Sequence, residues 1–228
     1  MNFPIEIKAI AFDLDGTLVD TLADLHEAAN RMLRDLGRPA LTESAVRAYV
    51  GDGVDRLVGR LLTGKPDGKP DPDLFEKAAE DFRSHYASVL TRASHPFTDV
   101  ISTLEILRSR GFKLACVTNK PARFTEPLLE GLALTSYLDL VLSGDSLPRK
   151  KPDPLPLLHA ARAFGIEPVQ LLMVGDSPVD TEAARAAGCP VFCVPYGYRG
   201  TLAVHALDCD AIVPALPDLL DLIRIPRS

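Results

Sequence analysis

The stretch AFDLDGTLVDT (residues 11–21) decides how the rest of the chain is read. It continues the run KAIAF (8–12), which has the apolar, strand-forming pattern of a buried strand. That run ends in two carboxylates, Asp13 and Asp15, one residue apart. Burying an ionised carboxylate without a partner is very costly. Something positive is therefore expected at this strand end.

Working outward, short runs rich in Val, Ile, Leu and Phe recur: KLACVT (113–118), LDLVLS (138–143), LLMVGD (171–176), VFCV (191–194) and AIV (211–213). Segments with helical spacing lie between the later runs, at 100–110, 124–132, 154–164 and 180–187. Near-continuous apolar strands separated by helices predict an α/β fold, a doubly wound, Rossmann-like parallel sheet covered on both faces. Residues 22–95 break the rhythm, with helical patterning and no convincing strand. Leu22, Leu25, Ala29, Met32, Leu33 and Leu36 recur at spacings of three and four, giving one apolar helix face. Asp20 and Thr21 are candidate caps for that helix. The loop TGKPDGKPDPD (63–73) reads as an exposed, mobile connection. The expected division is a core of residues 1–20 and 96–228, with an inserted all-helical domain at 21–95.

Composition narrows the function classes. The 228 residues suit one or two domains, and 46% hydrophobic with 25% charged is a globular balance. A formal net charge of -6 argues against non-specific nucleic-acid binding. No run approaches the roughly 18 apolar residues of a membrane span, and no basic leader with a small-residue cleavage site is visible. Cys116, Cys189, Cys193 and Cys209 form no CxxC pair and read as reduced structural thiols. A cytoplasmic protein, monomer or homodimer, is expected, without membrane or nucleic-acid partners.

Several strands end in polar residues. Asp13 and Asp15 follow the first, Thr118 and Asn119 the second, Lys150 and Lys151 come after LDLVLS, and Asp176 and Asp180 follow LLMV. In an open parallel sheet the carboxyl ends of the strands share one edge, where ligands bind. Carboxylates without His or Cys describe a hard cation, with Mg²⁺ the natural choice. A hydroxyl, backbone N–H groups after Gly16 and a lysine describe an oxyanion such as phosphate. Metal and phosphate together imply phosphoryl transfer. An Asp serves as nucleophile, Lys151 and Mg²⁺ neutralise charge, and Asp15 handles the proton.

DLDGT (13–17), Thr118 after a strand, Lys151 before PDP, and GDSPVD (175–180) resemble the four motifs of the haloacid dehalogenase superfamily, in order and across nearly the whole chain. Within it, VTNKP (117–121), KKPDPLPL, AARAAGCP, PYGYRG (195–200) and YVGDGVDRLV (49–58) look most like bacterial phosphoglycolate phosphatases. The resemblance implies a helical cap domain and a small phosphorylated metabolite as substrate. It implies Asp13 as nucleophile and Mg²⁺ ligand. Asp15 becomes acid/base, with its main-chain carbonyl on the metal. Thr118 and Asn119 would hold phosphate oxygens, and Lys151, the lysine directly before Pro152, would orient them. Asp176 would ligate the metal, and Asp180 would support the metal's water shell. Gly16, Thr17, Gly51 and Arg56 are the further expected substrate contacts, with GDGVDR (51–56) as a loop closing over the site.

That loop lacks the third glycine of a dinucleotide fingerprint and follows no clear strand. The five histidines lie outside the motifs. A dehalogenase needs neither Asp15 nor the GDSPVD carboxylates. A pyrophosphatase, a sugar-phosphate phosphatase, a phosphoglucomutase and a non-catalytic protein of the same fold are the alternatives. For a glycolate carboxylate, Arg56, Arg123 and Arg199 are candidate partners by location alone.

Overall fold

The computed structural model describes residues 3–199 and 202–226. The chain begins with β1 (Ile5–Glu6) and β2 (Ala9–Phe12), then turns through the Asp13–Thr17 loop into the short β3 (Val19–Asp20). Four helices follow: α1 (Leu22–Asp35), α2 (Glu43–Arg47), α3 (Val54–Thr63) and α4 (Pro72–Val89). The chain returns through β4 (His95–Pro96), antiparallel to β3, so the helical segment leaves and rejoins the sheet at one place.

After β4 come α5 (Val100–Ser109), β5 (Lys113–Val117), α6 (Ala122–Gly131), β6 (Leu140–Leu142) and α7 (Leu155–Phe164). The last part holds β7 (Leu171–Gly175), α8 (Pro178–Ala187), β8 (Val191–Cys193), β9 (Ala211–Ile212), α9 (Leu219–Leu222) and β10 (Ile223–Arg224), which pairs with β1. The main sheet runs β6-β5-β2-β7-β8-β9, every pair parallel. This is the doubly wound arrangement expected from the alternation of apolar strands and helices. β2 lies centrally, with β5 and β7 beside it, and the direction of winding reverses between β2 and β7.

Alternation along β2 shows why the sheet is covered on both faces. Ile10 and Phe12 point into one core with Leu104 and Leu107 of α5 and Phe124 of α6. Ala9 and Ala11 point into the other with Leu157 and Ala160 of α7 and Ala183 of α8. Small residues on that second face let the helices approach closely, while the first face carries the bulkier side chains. Each fully buried Leu or Phe contributes about 1.5–3 kcal/mol.

The helical segment packs on itself through one stripe per helix. Leu25, Ala28, Ala29 and Met32 of α1 lie against α4, which contributes Ala78, Phe82 and Tyr86. The 63–73 connection ends where Asp71 caps α4, its carboxylate accepting the Leu74 amide at 3.1 Å, with Pro72 at the first helical position. The start of α1 is capped differently from the expectation. Thr21 sits at the N-cap position, but its hydroxyl donates to Asp15 Oδ1 (2.7 Å). The Thr21 and Leu22 amides donate instead to the Tyr198 hydroxyl oxygen, 2.9 and 3.1 Å away, and Asp20 adds a second acceptor for Leu22 at 3.2 Å. Among the described residues no helix is long and apolar enough to cross a membrane, and all four cysteines are free.

Candidate active site

Adjacent strands deliver the polar residues to one edge. Neighbouring strands are about 4.8 Å apart, so residues ending β5, β2 and β7 are side by side. The Asp13 amide donates to Val174 O and the Thr118 amide to Leu142 O, both at 2.9 Å, which fixes where each side chain begins. Lys151 arrives from the loop after β6 and is buried. Its ammonium donates to Asp180 Oδ1 at 2.7 Å and lies 3.0 Å from Asp13 Oδ1.

Asp13, Asp176 and Asp180 each place a carboxylate oxygen within 4.8 Å of the others, and all three are buried. Asp180 also accepts from the Asp176 and Ser177 amides and the Ser177 hydroxyl through Oδ2, at 3.2, 3.1 and 2.8 Å. It thereby caps α8 while holding Lys151. Asp176 is held by the Thr17 hydroxyl at 2.9 Å and by the Tyr198 amide. Glycines make room for these carboxylates. A Cβ on Gly175 would lie 2.3 Å from Asp180 Cγ, and one on Gly197 would lie 2.3 Å from Asp176 Oδ2.

The group carries more buried negative charge than Lys151 can offset. Burial pushes the Asp13 carboxyl up from 3.8 to about 6, Lys151 opposing and the Asp180 charge adding. Asp176 is raised well above the usual carboxylate range by burial, then by Asp180 and Asp13. Burial alone would lower Lys151, yet Asp13 and Asp180 hold it above the ordinary lysine value. Asp13 Oδ1 makes no aligned hydrogen bond. An all-oxygen donor set with surplus negative charge and a free lone pair fits a hard divalent cation.

Asp15 is handled separately. Lys120 Nζ donates to both of its oxygens, at 2.9 and 3.0 Å, and lies 4.7 Å from the centroid of the Tyr86 ring. The Lys120 side chain is only 3% exposed. The positive partner required by the opening stretch is thus supplied in part by two ammonium groups, Lys151 for Asp13 and Lys120 for Asp15. Lys120 went unread in the sequence, where a lysine beside Pro121 looks like an ordinary surface residue.

Above this edge lies a small cleft, bounded by Asp13, Asp15, Thr118, Asn119 and Lys120 below and by Leu25, Val54, Leu57 and Tyr86 above. Asn119 Nδ2 donates to Lys151 O (2.9 Å) and to Gly51 O (3.3 Å), which ties the 51–53 loop down over the site. Arg47 of α2 adds bonds to the Tyr196 and Gly197 carbonyls, at 2.6 and 2.8 Å.

Not every expected contact is brought together. Gly51 lines the cleft, but Arg56 does not; it points outward, exposed, 3.7 Å from Asp67. The sequence reading put Arg56 in a loop closing over the site, whereas it lies in the first turn of α3 and is turned away from the cleft. Thr17 is fully buried, and its hydroxyl is spent on Asp176. Gly16 has φ +88°, and a Cβ there would meet Asp176 Oδ2 at 2.7 Å, so it makes space for a carboxylate. Arg123 is exposed and stacks on Phe124, and Arg199 donates to Pro195 O, so neither borders the cleft.

Residues 10–194 match the family model of haloacid dehalogenase-like hydrolases. The chain belongs to that family. It is 51% identical over 217 residues to a phosphoglycolate phosphatase of Thiobacillus denitrificans, covering 95% of this chain and 96% of that one. It is also 51% identical over 224 residues to a phosphoglycolate phosphatase of Nitrosospira multiformis, covering 98% and 99%. The crystal structure of a predicted phosphoglycolate phosphatase from Haemophilus somnus superposes with a TM-score of 0.89 at 35% identity, covering 95% of this chain and 97% of that one. With likeness of this extent to phosphatases, this member of the family is a phosphatase.

Proposed function

We propose that this phosphatase is an Mg²⁺-dependent phosphomonoesterase that hydrolyses 2-phosphoglycolate to glycolate and phosphate through a phosphorylated Asp13. The observation that carries the reading is the meeting of Asp13, Thr118 and Asn119 at one cleft, with buried Lys151 reaching Asp13 from beneath. The substrate class comes from the names of relatives at 51% identity. The small cleft, closed by apolar side chains, suits a compact ester.

Asp13 attacks phosphorus opposite the leaving oxygen, and Lys151 offsets the charge that builds up on nucleophile and phosphoryl group. The Thr118 hydroxyl and the Asn119 main-chain N–H orient the phosphoryl oxygens, the Asn119 side-chain amide being taken by Lys151 O and Gly51 O. Asp15 gives a proton to the departing glycolate oxygen and then takes one from the water that cleaves the aspartyl phosphate. Asp13, the Asp15 carbonyl and Asp176 would hold the cation, with Asp180 beside them. When bound, it neutralises the repulsion between anionic nucleophile and anionic substrate.

The helical segment, residues 21–95, acts in this reading as a cap that closes over the cleft and excludes water. The setting it suits is the cytoplasm. Phosphate release with Mg²⁺ across 2-phosphoglycolate, pyrophosphate, sugar phosphates and nucleotides tests the proposal. The expected result is a kcat/KM for 2-phosphoglycolate at least tenfold above the others; a flat profile or a different preferred ester overturns the substrate assignment.

A further inference from the structure

The reaction proposed above leaves one group of the substrate without a partner. Lys151, Thr118 and Asn119 serve the phosphoryl end, and the glycolate carboxylate at the other end needs donors of its own. Among the described residues lining the cleft, Lys120 is the sole side-chain cation. Its ammonium is buried and set against the face of Tyr86, a cap residue on α4.

Tyr86 supplies a second, independent sign. Its side chain is fully buried and borders the cleft, yet its hydroxyl has no hydrogen-bond partner. A buried hydroxyl without a partner is costly, and such groups in a cleft mark a place where a ligand completes the bonding. Burial, with Asp15 and Asp24 nearby, raises the Tyr86 hydroxyl well above its ordinary value, so it remains an O–H donor. An ammonium and a phenol O–H are a donor pair suited to a carboxylate.

In this structure a carboxylate already occupies Lys120: that of Asp15, bonded through both oxygens. The Thr21 hydroxyl holds Asp15 Oδ1 as well, so Asp15 keeps a partner when Lys120 is taken by another anion. A substrate carboxylate has the same charge and the same two-oxygen geometry.

We infer that Lys120 and the Tyr86 hydroxyl form the subsite for the substrate's carboxylate, and that its arrival there displaces Asp15 from Lys120 and frees it for proton transfer. The inference rests on the phosphoglycolate reading and deepens it. Selectivity then comes from an exchange of one carboxylate for another. An ester of the same size without a second anion leaves Asp15 engaged and reacts slowly.

The test compares 2-phosphoglycolate with ethyl phosphate, in which a methyl replaces the carboxylate, in wild type, Tyr86→Phe, Lys120→Met and Lys120→Arg. Leaving groups differ between the esters, but that difference is common to all four proteins and cancels in the change of the ratio. The expected result is a kcat/KM ratio that strongly favours 2-phosphoglycolate in wild type. The ratio should fall at least tenfold in Tyr86→Phe and in Lys120→Met, with Lys120→Arg retaining more of it than Met. Tyr86→Phe removes only the hydroxyl and keeps the ring, so it decides the matter if Lys120→Met does not fold. A strong wild-type ratio left unchanged in Tyr86→Phe and in the folded Lys120 variants overturns the subsite while the phosphoglycolate reading stands. A wild-type ratio near one overturns the phosphoglycolate reading, and this inference falls with it.

Discussion

Lys151 and Asp180 form a buried ion pair at 2.7 Å, their side chains 2% and 0% exposed, between residues that arrive from different strands. The pair fixes the lysine that faces Asp13, and the same carboxylate caps α8. Asp180→Ala strips Lys151 of one partner and leaves three donors without an acceptor. Breaking one side of a buried pair costs about 3–5 kcal/mol. Denaturant unfolding should register a loss of that order, and phosphate release should fall at least 100-fold. A loss of stability below about 1 kcal/mol would show that the pair is not holding the site together.

A second expectation concerns pH. In the fold Asp13 titrates near 6 instead of 3.8, and Asp176 is raised as well, mainly because both are buried. The folded, metal-free protein therefore keeps its full contribution from Asp13 below the ordinary value and loses it as pH rises through about 6, with Asp176 acting in the same direction. At ~1.4 kcal/mol per pKa unit, Asp13 alone accounts for roughly 3 kcal/mol by pH 8. In chelator, Asp13→Asn should melt above wild type at pH 8, and the gap should narrow at pH 5. Mg²⁺ should raise the wild-type Tm more at pH 8 than at pH 5. A gap that is the same at both values contradicts the burial argument.

Gly197 is a third position of interest, because a Cβ there would lie 2.3 Å from Asp176 Oδ2. Gly197→Ala forces Asp176 or its loop to shift. Disturbing the surroundings of a metal ligand typically costs 10–100-fold in affinity. Titrating activity against Mg²⁺ should give a half-saturating concentration raised by at least tenfold. An unchanged titration would remove Asp176 from the ligand set.

Arg47 bridges the helical segment to the sheet edge through the Tyr196 and Gly197 carbonyls and lies over the Tyr198 ring at 5.3 Å. Hydrogen bonds from a charged group contribute about 1.5–3 kcal/mol each. Arg47→Ala should weaken closure, so KM rises about tenfold while kcat falls less. Steady-state kinetics that show only a kcat defect would argue against a closing role.

The sequence displayed the sheet and much of the carboxylate site for a physical reason. Apolar runs ending in Asp13 or Asp176 are anomalous, because buried charge must be explained, and the explanation reaches across strands. Lys120 was hidden for the opposite reason. Its burial depends on Tyr86, contributed by a helix from a different part of the chain, and nothing local distinguishes it from a solvated lysine. The same holds for Tyr198, whose hydroxyl caps α1 from 176 residues away. Thr21 was read as a cap from its position, yet the nearby Asp15 carboxylate competes for its hydroxyl. Arg56 looked suitable by type and failed by direction: read as part of a closing loop, it falls on α3 and faces solvent beside Asp67. The β3–β4 pair, two residues on each strand, is too short to leave a periodic trace.

That short pair has a consequence of its own. Helices α1 to α4 are attached to the sheet by two neighbouring strands, and buried Asp24 ties the return to the departure by accepting the Ala93 and Ser94 amides and the Ser94 hydroxyl. The chain therefore crosses at one seam, while side-chain ties from Arg47, Asn119 and the Tyr198 hydroxyl span the two parts beyond it. Grafting a helical segment from another protein of this architecture between Thr21 and Ser94 is expected to change which phosphate ester is preferred while phosphate release is kept.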